Sequence, residues 1–283
     1  MKVVAKCART ISAKTLASLH HEYLALREIS SLERGLPERS YPKPILFRED
    51  DCVLFMSALP GVALSRRLKW RANAITGRGY KSWLEGVGRK GGRWLCKFHA
   101  MTPPSSTPHN HGAFIEDFQE NVARCAALGV SESVLIRTSA RAQELSLSLD
   151  GNSVSTAPSH GDFLPQNLLV HGTDIGVTDF ANYRSSAPIY FDLAAFLAYI
   201  LLLQQKAKYS DDALEQLANG FAAGYGDRYC RNLVRLYMLN AVLRMVRDHP
   251  FQAAARDSHY VESTLIEIVK DDLLVSDCVS VSG

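Results

Sequence analysis

Four polar residues recur at short intervals between positions 159 and 196, and their side chains are of types that can do chemistry. Asp162 is followed after five residues by Asn167, after twelve more by Asp179 and after a further thirteen by Asp192. Apolar and turn-forming residues fill the intervals. Carboxylate and amide oxygens in such a set can orient a hydroxyl group, take its proton or hold a divalent cation.

The segment from Asn167 to Asp179 predicts a β-hairpin. Residues 168–170 are typical of a short buried strand, residues 171–174 of a turn and residues 176–180 of the return strand. Asn167 and Asp179 would then lie at adjacent strand ends. Two oxygen ligands, with no thiolate or histidine at metal-ligand spacing, favour Mg²⁺.

Together these residues supply the parts of a phosphoryl-transfer site: a carboxylate at the attacking hydroxyl, and a metal site that neutralises charge on the transferred group. They fall in three motifs. The motifs are H-G-D-x-x-x-x-N at His160-Gly161-Asp162 with Asn167, apolar-D-[FW] at Thr178-Asp179-Phe180, and D-L-A at Asp192-Leu193-Ala194. At these motifs the sequence resembles the aminoglycoside phosphotransferase and choline kinase family, which shares the protein-kinase fold.

For this stretch the resemblance implies a role for each polar residue. Asp162 would be the catalytic carboxylate that orients and deprotonates the acceptor hydroxyl. Asn167 and Asp179 would hold Mg²⁺. His160 and Asp192 would brace the catalytic loop, with Asp192 accepting backbone N–H groups of that loop.

For the N-terminal part the resemblance implies a nucleotide site. In kinase-like folds a strand lysine contacts the nucleotide phosphates, and a glutamate from the next helix holds that lysine. The resemblance assigns these roles to Lys6 and Glu22, which are sixteen residues apart. The alternative interpretation is that Lys6 is a solvated lysine and Glu22 a surface glutamate. Backbone groups of Ser57, Ala58 and Leu59 would contact adenine. The implied cofactors are ATP and Mg²⁺, and the implied partner is a small molecule with a hydroxyl acceptor.

The implied fold class is α+β, a protein-kinase-like two-lobe fold. Residues 1–60 would form a reduced N-terminal β lobe that binds the nucleotide, and residues 61–283 a mainly helical C-terminal lobe with the catalytic and acceptor-binding groups. The sequence patterns predict strands at 3–8, 42–47 and 51–57, a helix capped by Ser12 or Thr15, and further helices at 114–128, 132–149, 193–203, 211–225, 230–249 and 260–274. The implied activity is ATP-dependent transfer of the γ-phosphate to a hydroxyl of a small molecule.

The sequence departs from the family pattern at its start. Only five residues precede Lys6, so the two strands and the loop that cover the nucleotide phosphates in the family have no counterpart. Either the chain as given lacks its N-terminus, or the small lobe is reduced and binds ATP weakly or not at all. The alternative function is therefore a pseudokinase-type binding module that keeps the metal residues without productive ATP binding.

Residues 66–93 form a basic block. They carry nine lysines and arginines against one acid, Glu85, with Trp70, Tyr80 and Trp83 between them. Such a block attracts anions: a phosphorylated or lipid-linked ligand, an acidic membrane surface or, less favoured, nucleic acid. The alternative is a solvated loop that its aromatic residues anchor to the large lobe. The block argues against a polycationic aminoglycoside as the natural acceptor.

The composition is that of an ordinary globular protein: 283 residues, 47% hydrophobic, 22% charged, with a net charge of +3. Six scattered cysteines without a C-x-x-C pair favour reduced thiols over disulfides or a zinc site. The first residues lack a signal-peptide pattern, and the longest apolar run, residues 193–203, is too short to span a bilayer. We therefore expect a cytoplasmic protein, with the basic block as a route to peripheral membrane binding.

Overall fold

The structure is a computed structural model that describes residues 2–7, 12–32, 35–226, 229–248 and 258–270, without the side chains of residues 247 and 248. Residues 8, 249 and 271–274, the predicted ends of one strand and two helices, lie outside the described residues.

The N-terminal part consists of a three-stranded antiparallel sheet and one helix that packs on it. The strands are β1 (Val3–Cys7), β2 (Pro44–Arg48) and β3 (Val53–Ser57), in the order β1-β3-β2, and the helix is α1 (Ala13–Ser31). Ser12 caps α1, because its side-chain oxygen accepts the N–H of Thr15. The buried face of α1 is apolar except for Glu22. The helix therefore carries one carboxylate into the interior, where an unpaired charge would be costly.

The C-terminal part is mainly helical, as predicted. Its helices are α2 (Leu64–Arg71), α3 (Lys81–His99), α4 (His111–Ala127), α5 (Glu132–Ser148), α6 (Tyr190–Gln204), α7 (Asp211–Tyr225), α8 (Arg231–Asp248) and α9 (Ser258–Val269). A short 3-10 turn, Gly77–Tyr80, joins α2 to α3. Within the described part of the chain, no helix combines the length and the apolarity that a bilayer-spanning segment needs.

Helices α3 and α7 approach each other closely because glycines line their contact. A Cβ atom added to Gly88 or Gly92 of α3 would lie 2.2 or 2.0 Å from a backbone oxygen of α7. The same holds for Gly220 and Gly224 of α7 against α3, at 2.2 and 2.0 Å. Any larger residue would force the helices apart, so the glycines, spaced by four on each helix, fix where α3 lies.

Two small antiparallel sheets flank the loop that carries Asp162. Their strands are β4 (Val62–Ala63), β5 (Ser105–Pro108), β6 (Ser153–Ser159), β7 (Leu168–His171), β8 (Asp174–Val177) and β9 (Arg184–Pro188), in the orders β4-β7-β8 and β5-β6-β9. Residues 160–167, the candidate catalytic loop, run from β6 to β7 and so connect the two sheets. The predicted hairpin is β7–β8, although β8 ends at Val177 and not at residue 180.

Two local interpretations of the sequence were wrong or incomplete. The basic block at 66–93 is not a solvated loop, because it forms α2, the 3-10 turn and the first part of α3. The sheet β5-β6-β9 was not predicted, because its strands are rich in serine and proline, which favour loops in isolation. The predicted lobe boundary between residues 60 and 61 stays a prediction.

Candidate active site

The start of the candidate catalytic loop is held by Asp192 at the first turn of α6. The Asp192 carboxylate accepts the backbone N–H of His160 at 2.7 Å and that of Gly161 at 2.9 Å. Gly161 has a left-handed φ of +80°, and a Cβ atom there would lie 2.0 Å from the carbonyl oxygen of Asn182. The loop therefore requires glycine at position 161 for both its conformation and its space.

His160 joins this loop to the strand end before Asp179. Its Nε2 lies 3.0 Å from the carbonyl oxygen of Thr178, and its Nδ1 lies 3.2 Å from the backbone nitrogen of Asp162. Because a carbonyl only accepts and a backbone N–H only donates, the ring is the tautomer protonated at Nε2. The ring is fully buried and contacts the rings of Phe163 and Phe180. His160 thus fixes the Asp162 backbone to the hairpin.

Asn167 orients the Asp162 side chain. Its Nδ2 donates to the Asp162 carbonyl oxygen and to Asp162 Oδ2, both at 2.8 Å. Both partners are acceptors, so the amide nitrogen must face them and Oδ1 is directed away from Asp162. The carbonyl oxygen of Asn167 accepts the N–H of Thr178 at 2.9 Å. Thr178 is therefore held by both His160 and Asn167, and this brings Asp179 to the same loop.

An ion cluster connects the N-terminal part to this loop. Lys6 Nζ lies 2.7 Å from Glu22 Oε2 and 2.6 Å from Asp179 Oδ1. The other Glu22 oxygen accepts the N–H of Phe180 at 3.2 Å. Burial alone would lower the pKa of Lys6, but the two carboxylates outweigh it and raise the pKa above its ordinary value. Lys6 therefore keeps the positive charge that a phosphate would need.

The two carboxylates of the cluster differ in their surroundings. Glu22 is 1% exposed, and burial raises its pKa, which contact with Lys6 only partly offsets. Asp179 is 44% exposed and has a left-handed φ of +68°. That conformation is uncommon for a residue other than glycine and persists only where the surrounding structure holds it. Here the bonds of Thr178 and Phe180, on either side, hold it.

His99, at the end of α3, is a further neighbour of Asp192. Its Nε2 lies 3.7 Å from Asp192 Oδ2, and its Nδ1 lies 2.8 Å from the hydroxyl of Tyr225. Burial alone would raise the pKa of Asp192, but His99 and His160 outweigh it and hold that pKa below its ordinary value. Sequence reasoning gave His99 no part in the site, because it lies 93 residues before Asp192 and outside the three motifs.

The segment predicted to contact adenine follows β3 directly. The backbone N–H of Ser57 donates to the Lys43 carbonyl at 2.9 Å, and that of Ala58 donates to the Lys2 carbonyl at 2.9 Å. Two of the three predicted N–H donors are thus engaged within the N-terminal part. Leu59 is the remaining candidate, and its side chain faces Gly176 of β8. An adenine contact at Ser57, Ala58 and Leu59 stays a prediction.

The donor set suits a magnesium ion better than a softer metal. The described residues contain no group of three histidine, cysteine or acidic side chains that could enclose a metal. The candidate ligands are the half-exposed Asp179 carboxylate and Asn167 Oδ1. Mg²⁺ is commonly held by one or two such oxygens together with water and substrate phosphates. The residues present therefore fit this ion.

A cavity of about 440 Å³ opens beside the candidate catalytic loop. Leu164 and Gln166 of that loop line it, together with residues of α2, α6, α8 and α9. The N–H of Ser65, at the start of α2, donates to the carbonyl of Pro165 at 2.9 Å, so the wall is attached to the loop. Among the lining residues that the structure describes, Lys69 and Lys206 are basic and none is acidic.

The side chains of the basic block have different surroundings in the structure. Lys81 pairs with Asp212 at 2.8 Å and Arg89 pairs with Glu85 at 2.7 Å, all at least partly exposed. Trp70 is 77% exposed. Such surface pairs contribute little to stability. An anionic, lipid-linked or membrane partner for this block stays a prediction.

The fold of the chain is similar to that of several solved phosphotransferases. A glucosamine kinase aligns with a TM-score of 0.61 at 14% identity, covering 96% of this chain and 74% of that one. The macrolide 2'-phosphotransferase MphH from Brachybacterium faecium aligns with a TM-score of 0.56 at 15% identity, covering 93% and 84%. The ADP-bound aminoglycoside phosphotransferase APH(2'')-Ib aligns with a TM-score of 0.55 at 10% identity, covering 95% and 86%. These likenesses confirm the predicted fold class, α+β and protein-kinase-like.

No curated protein sequence matches the chain. The model of the phosphotransferase enzyme family (APH), in contrast, matches residues 5–238, a range that includes Lys6, the three motifs and most of the helical part. Since this range is far more than half of the chain, and the folds agree, the chain belongs to the phosphotransferase enzyme family.

Proposed function

We propose that the chain is an ATP-dependent phosphotransferase that moves the γ-phosphate to a hydroxyl group of a small molecule. The observation that carries the proposal is the ion cluster in which Lys6 contacts both Glu22 and Asp179, at 2.7 and 2.6 Å. Through Thr178, this cluster adjoins the hydrogen-bonded pair of Asp162 and Asn167. A lysine for phosphates beside a carboxylate for the hydroxyl is the arrangement that phosphoryl transfer uses.

Asp162 would act on the acceptor. Its carboxylate orients the hydroxyl and takes the proton as the oxygen bonds to the γ-phosphorus and the bond to the β-γ bridging oxygen breaks. Asn167 fixes the carboxylate through Nδ2, and His160 fixes the Asp162 backbone. The base therefore needs little rearrangement before the reaction.

The nucleotide end would depend on Lys6, which holds the α and β phosphates while Glu22 keeps it in place. Asn167 Oδ1 and the Asp179 carboxylate are the groups that would hold Mg²⁺. When bound, this ion neutralises charge on the nucleotide phosphates. Because Asp179 already contacts Lys6, the bound Mg²⁺ and the Lys6 ammonium group would lie in the same phosphate-binding region.

We assign the acceptor to the 440 Å³ cavity beside the catalytic loop. An aminoglycoside carries several positive charges and needs carboxylates around it, and none of the described residues that line this cavity is acidic. Lys69 and Lys206 favour an anionic group, and leucines, valines and tyrosines favour an apolar portion. The acceptor class is therefore a neutral or anionic alcohol with an apolar part.

Two measurements test the function. ATP consumption and product mass are measured with sugars, amino alcohols, nucleosides, hydroxy acids and aminoglycosides, for the wild type and for Asp162→Asn. We expect turnover with a neutral or anionic acceptor in the wild type alone. The pseudokinase alternative instead gives nucleotide or Mg²⁺ binding by calorimetry with no product from any acceptor. Equal turnover in both proteins would refute the role of Asp162.

The acceptor class has its own matched pair of variants. Lys206→Gln removes a charge from the cavity, whereas Lys208→Gln removes one from an exposed residue that does not line it. For an anionic acceptor we expect roughly a tenfold rise in KM for Lys206→Gln, because a hydrogen bond to a charged group is lost. The Lys208→Gln variant should behave like the wild type. With an anionic acceptor, equal KM values for the two variants would place that acceptor elsewhere.

A further inference from the structure

A second cavity, of about 480 Å³, lies away from the phosphoryl-transfer groups. It is bounded by residues 37–40 after α1, by Pro60, by α3 and by the turn end of the β7–β8 hairpin. Asn167 and Asp179 flank the opposite end of that hairpin, on the order of 10 Å away at the usual rise per strand residue. Its volume is in the range of small-molecule sites.

The wall that α3 contributes is basic. Lys90, Arg93 and Lys97 all line the cavity and are spaced by three and four residues, so they share one face of the helix. Lys90 is engaged by the hairpin, donating to Thr173 Oγ1 at 2.7 Å. Arg93 and Lys97 have no ion-pair or hydrogen-bond partner in the part of the chain that the structure describes. Like charges one turn apart repel each other, so an anion between them would be stabilised. The two carboxylates that line the same cavity have basic partners of their own, Asp174 with Lys90 at 3.4 Å and Glu38 with Arg39 at 3.8 Å.

Two buried hydrogen-bond donors on the same walls also lack partners. Ser40 and Trp94 line the cavity and are each nearly completely buried, at 2% exposure. Neither Ser40 Oγ nor Trp94 Nε1 has a hydrogen-bond partner among the described residues. The indole is held by stacking on Phe98 and Phe163, at 5.1 and 5.8 Å between ring centres. Buried donors are nearly always satisfied, so two exceptions at one cavity indicate acceptors supplied by a bound molecule.

We propose that this cavity binds a phosphorylated small molecule. Arg93 and Lys97 neutralise its phosphate, and Ser40 and Trp94 donate hydrogen bonds to its oxygens. Two cations and two neutral donors match a phosphate better than a carboxylate, because a phosphate carries more negative charge and offers three strong acceptor oxygens. Arginine also matches phosphate geometry with paired donors.

Such a ligand would connect the two parts of the molecule. Residues 37–40 follow α1, which carries Glu22, and the Ser40 carbonyl accepts the N–H of Val177 at 2.8 Å. Val177 lies two residues before Asp179. A phosphate bonded to Ser40 on one side and to Arg93 on the other would restrain the segments that present Glu22 and Asp179. Nucleotide and ligand would then change each other's affinity by the same factor.

Titration calorimetry with pyrophosphate tests the site, with inorganic phosphate as a second probe, in the absence of Mg²⁺ and at constant ionic strength. The variant is Arg93→Gln with Lys97→Gln. The matched control is Lys14→Gln with Arg137→Gln, which removes one exposed lysine and one exposed arginine that lie outside the basic block and line none of the described cavities. We expect saturable binding to the wild type and the control, and a Kd raised roughly tenfold or more in the variant. No saturable binding, or equal binding by both double variants, would overturn the proposal.

Two further variants locate the bound probe. Ser40→Ala should raise the Kd roughly three- to tenfold, the effect of one lost hydrogen bond. Lys6→Ala should raise the Kd less than the Arg93 and Lys97 double variant does, because Lys6 belongs to the ion cluster and does not line this cavity. Loss of binding in Lys6→Ala, with retention in the Arg93 and Lys97 double variant, would mean that pyrophosphate occupies the nucleotide site and would overturn the proposal. Since no turnover is measured, the outcome is independent of the proposed function.

Discussion

The Asp162 half of the candidate site is buried and hydrogen bonded, whereas the Lys6 half is charged and partly open to solvent. His160, Asn167 and Asp192 are at most 6% exposed, and each bonds to groups within the C-terminal part. Lys6 is 36% and Asp179 44% exposed, and their contact joins residues that are 173 positions apart. The first half is assembled before any ligand arrives. The second depends on charges that a nucleotide would rearrange.

The largest effect should come from a change that alters chemistry in the buried half without altering its structure. Asp162→Asn keeps an oxygen that can accept the Asn167 amide but removes the base, so we expect kcat to fall by about 10²–10⁴-fold with an unchanged melting temperature. Asp51→Asn, in an exposed turn, is the control and should retain full activity. A kcat within a few-fold of the wild type would show that Asp162 is not the base.

A change to the support of the same half should act through stability. Asp192→Ala leaves the N–H groups of His160 and Gly161 without an acceptor, at about 1–3 kcal/mol each. We expect the free energy of unfolding, measured by urea denaturation, to fall by that sum. If the free energy of unfolding stayed within about 0.5 kcal/mol of the wild type, the distinction between the two halves would fail.

In the open half, loss of a carboxylate should change binding more than stability. Asp179→Asn tolerates the left-handed backbone but removes the full charge. We expect nucleotide affinity to lose its dependence on Mg²⁺, while the melting temperature changes little because Lys6 keeps Glu22 as its partner. Nucleotide titrations with and without Mg²⁺ measure this. An unaltered Mg²⁺ dependence would place the metal elsewhere.

The smallest effect should come from an exposed ion pair whose N–O distance is close to those that Lys6 makes. Lys81 and Asp212 are 2.8 Å apart, close to the Lys6 distances, but are 39% and 57% exposed. Lys81→Gln should leave the free energy of unfolding nearly unchanged, and any change should be smaller still in 1 M salt. A larger loss would mean that the short distance, and not the surroundings, determines the strength of these pairs.

Much of the fold and half of the site could be predicted from local patterns. The β7–β8 hairpin, the cap at Ser12 and helix α7 at Asp211–Tyr225 agree with the sequence-based expectations. The sheet that was not predicted has a physical cause. Strands β5 and β9 form only because each pairs with β6, a partner distant in sequence, and such pairing overrides the loop preference of serine and proline.

The sequence alone determined how the polar residues of the catalytic stretch are spaced, namely Asp162, Asn167, Asp179 and Asp192. A loop and a hairpin of fixed length restrict where these side chains can lie. The tertiary structure alone decided which charges meet. It brought Lys6 to Asp179, placed His99 beside Asp192, and turned Arg93 and Lys97 toward a cavity while pairing Arg89 with Glu85. Side-chain charge is a local property, but its partner is set by long-range packing, and no spacing along the chain records that packing.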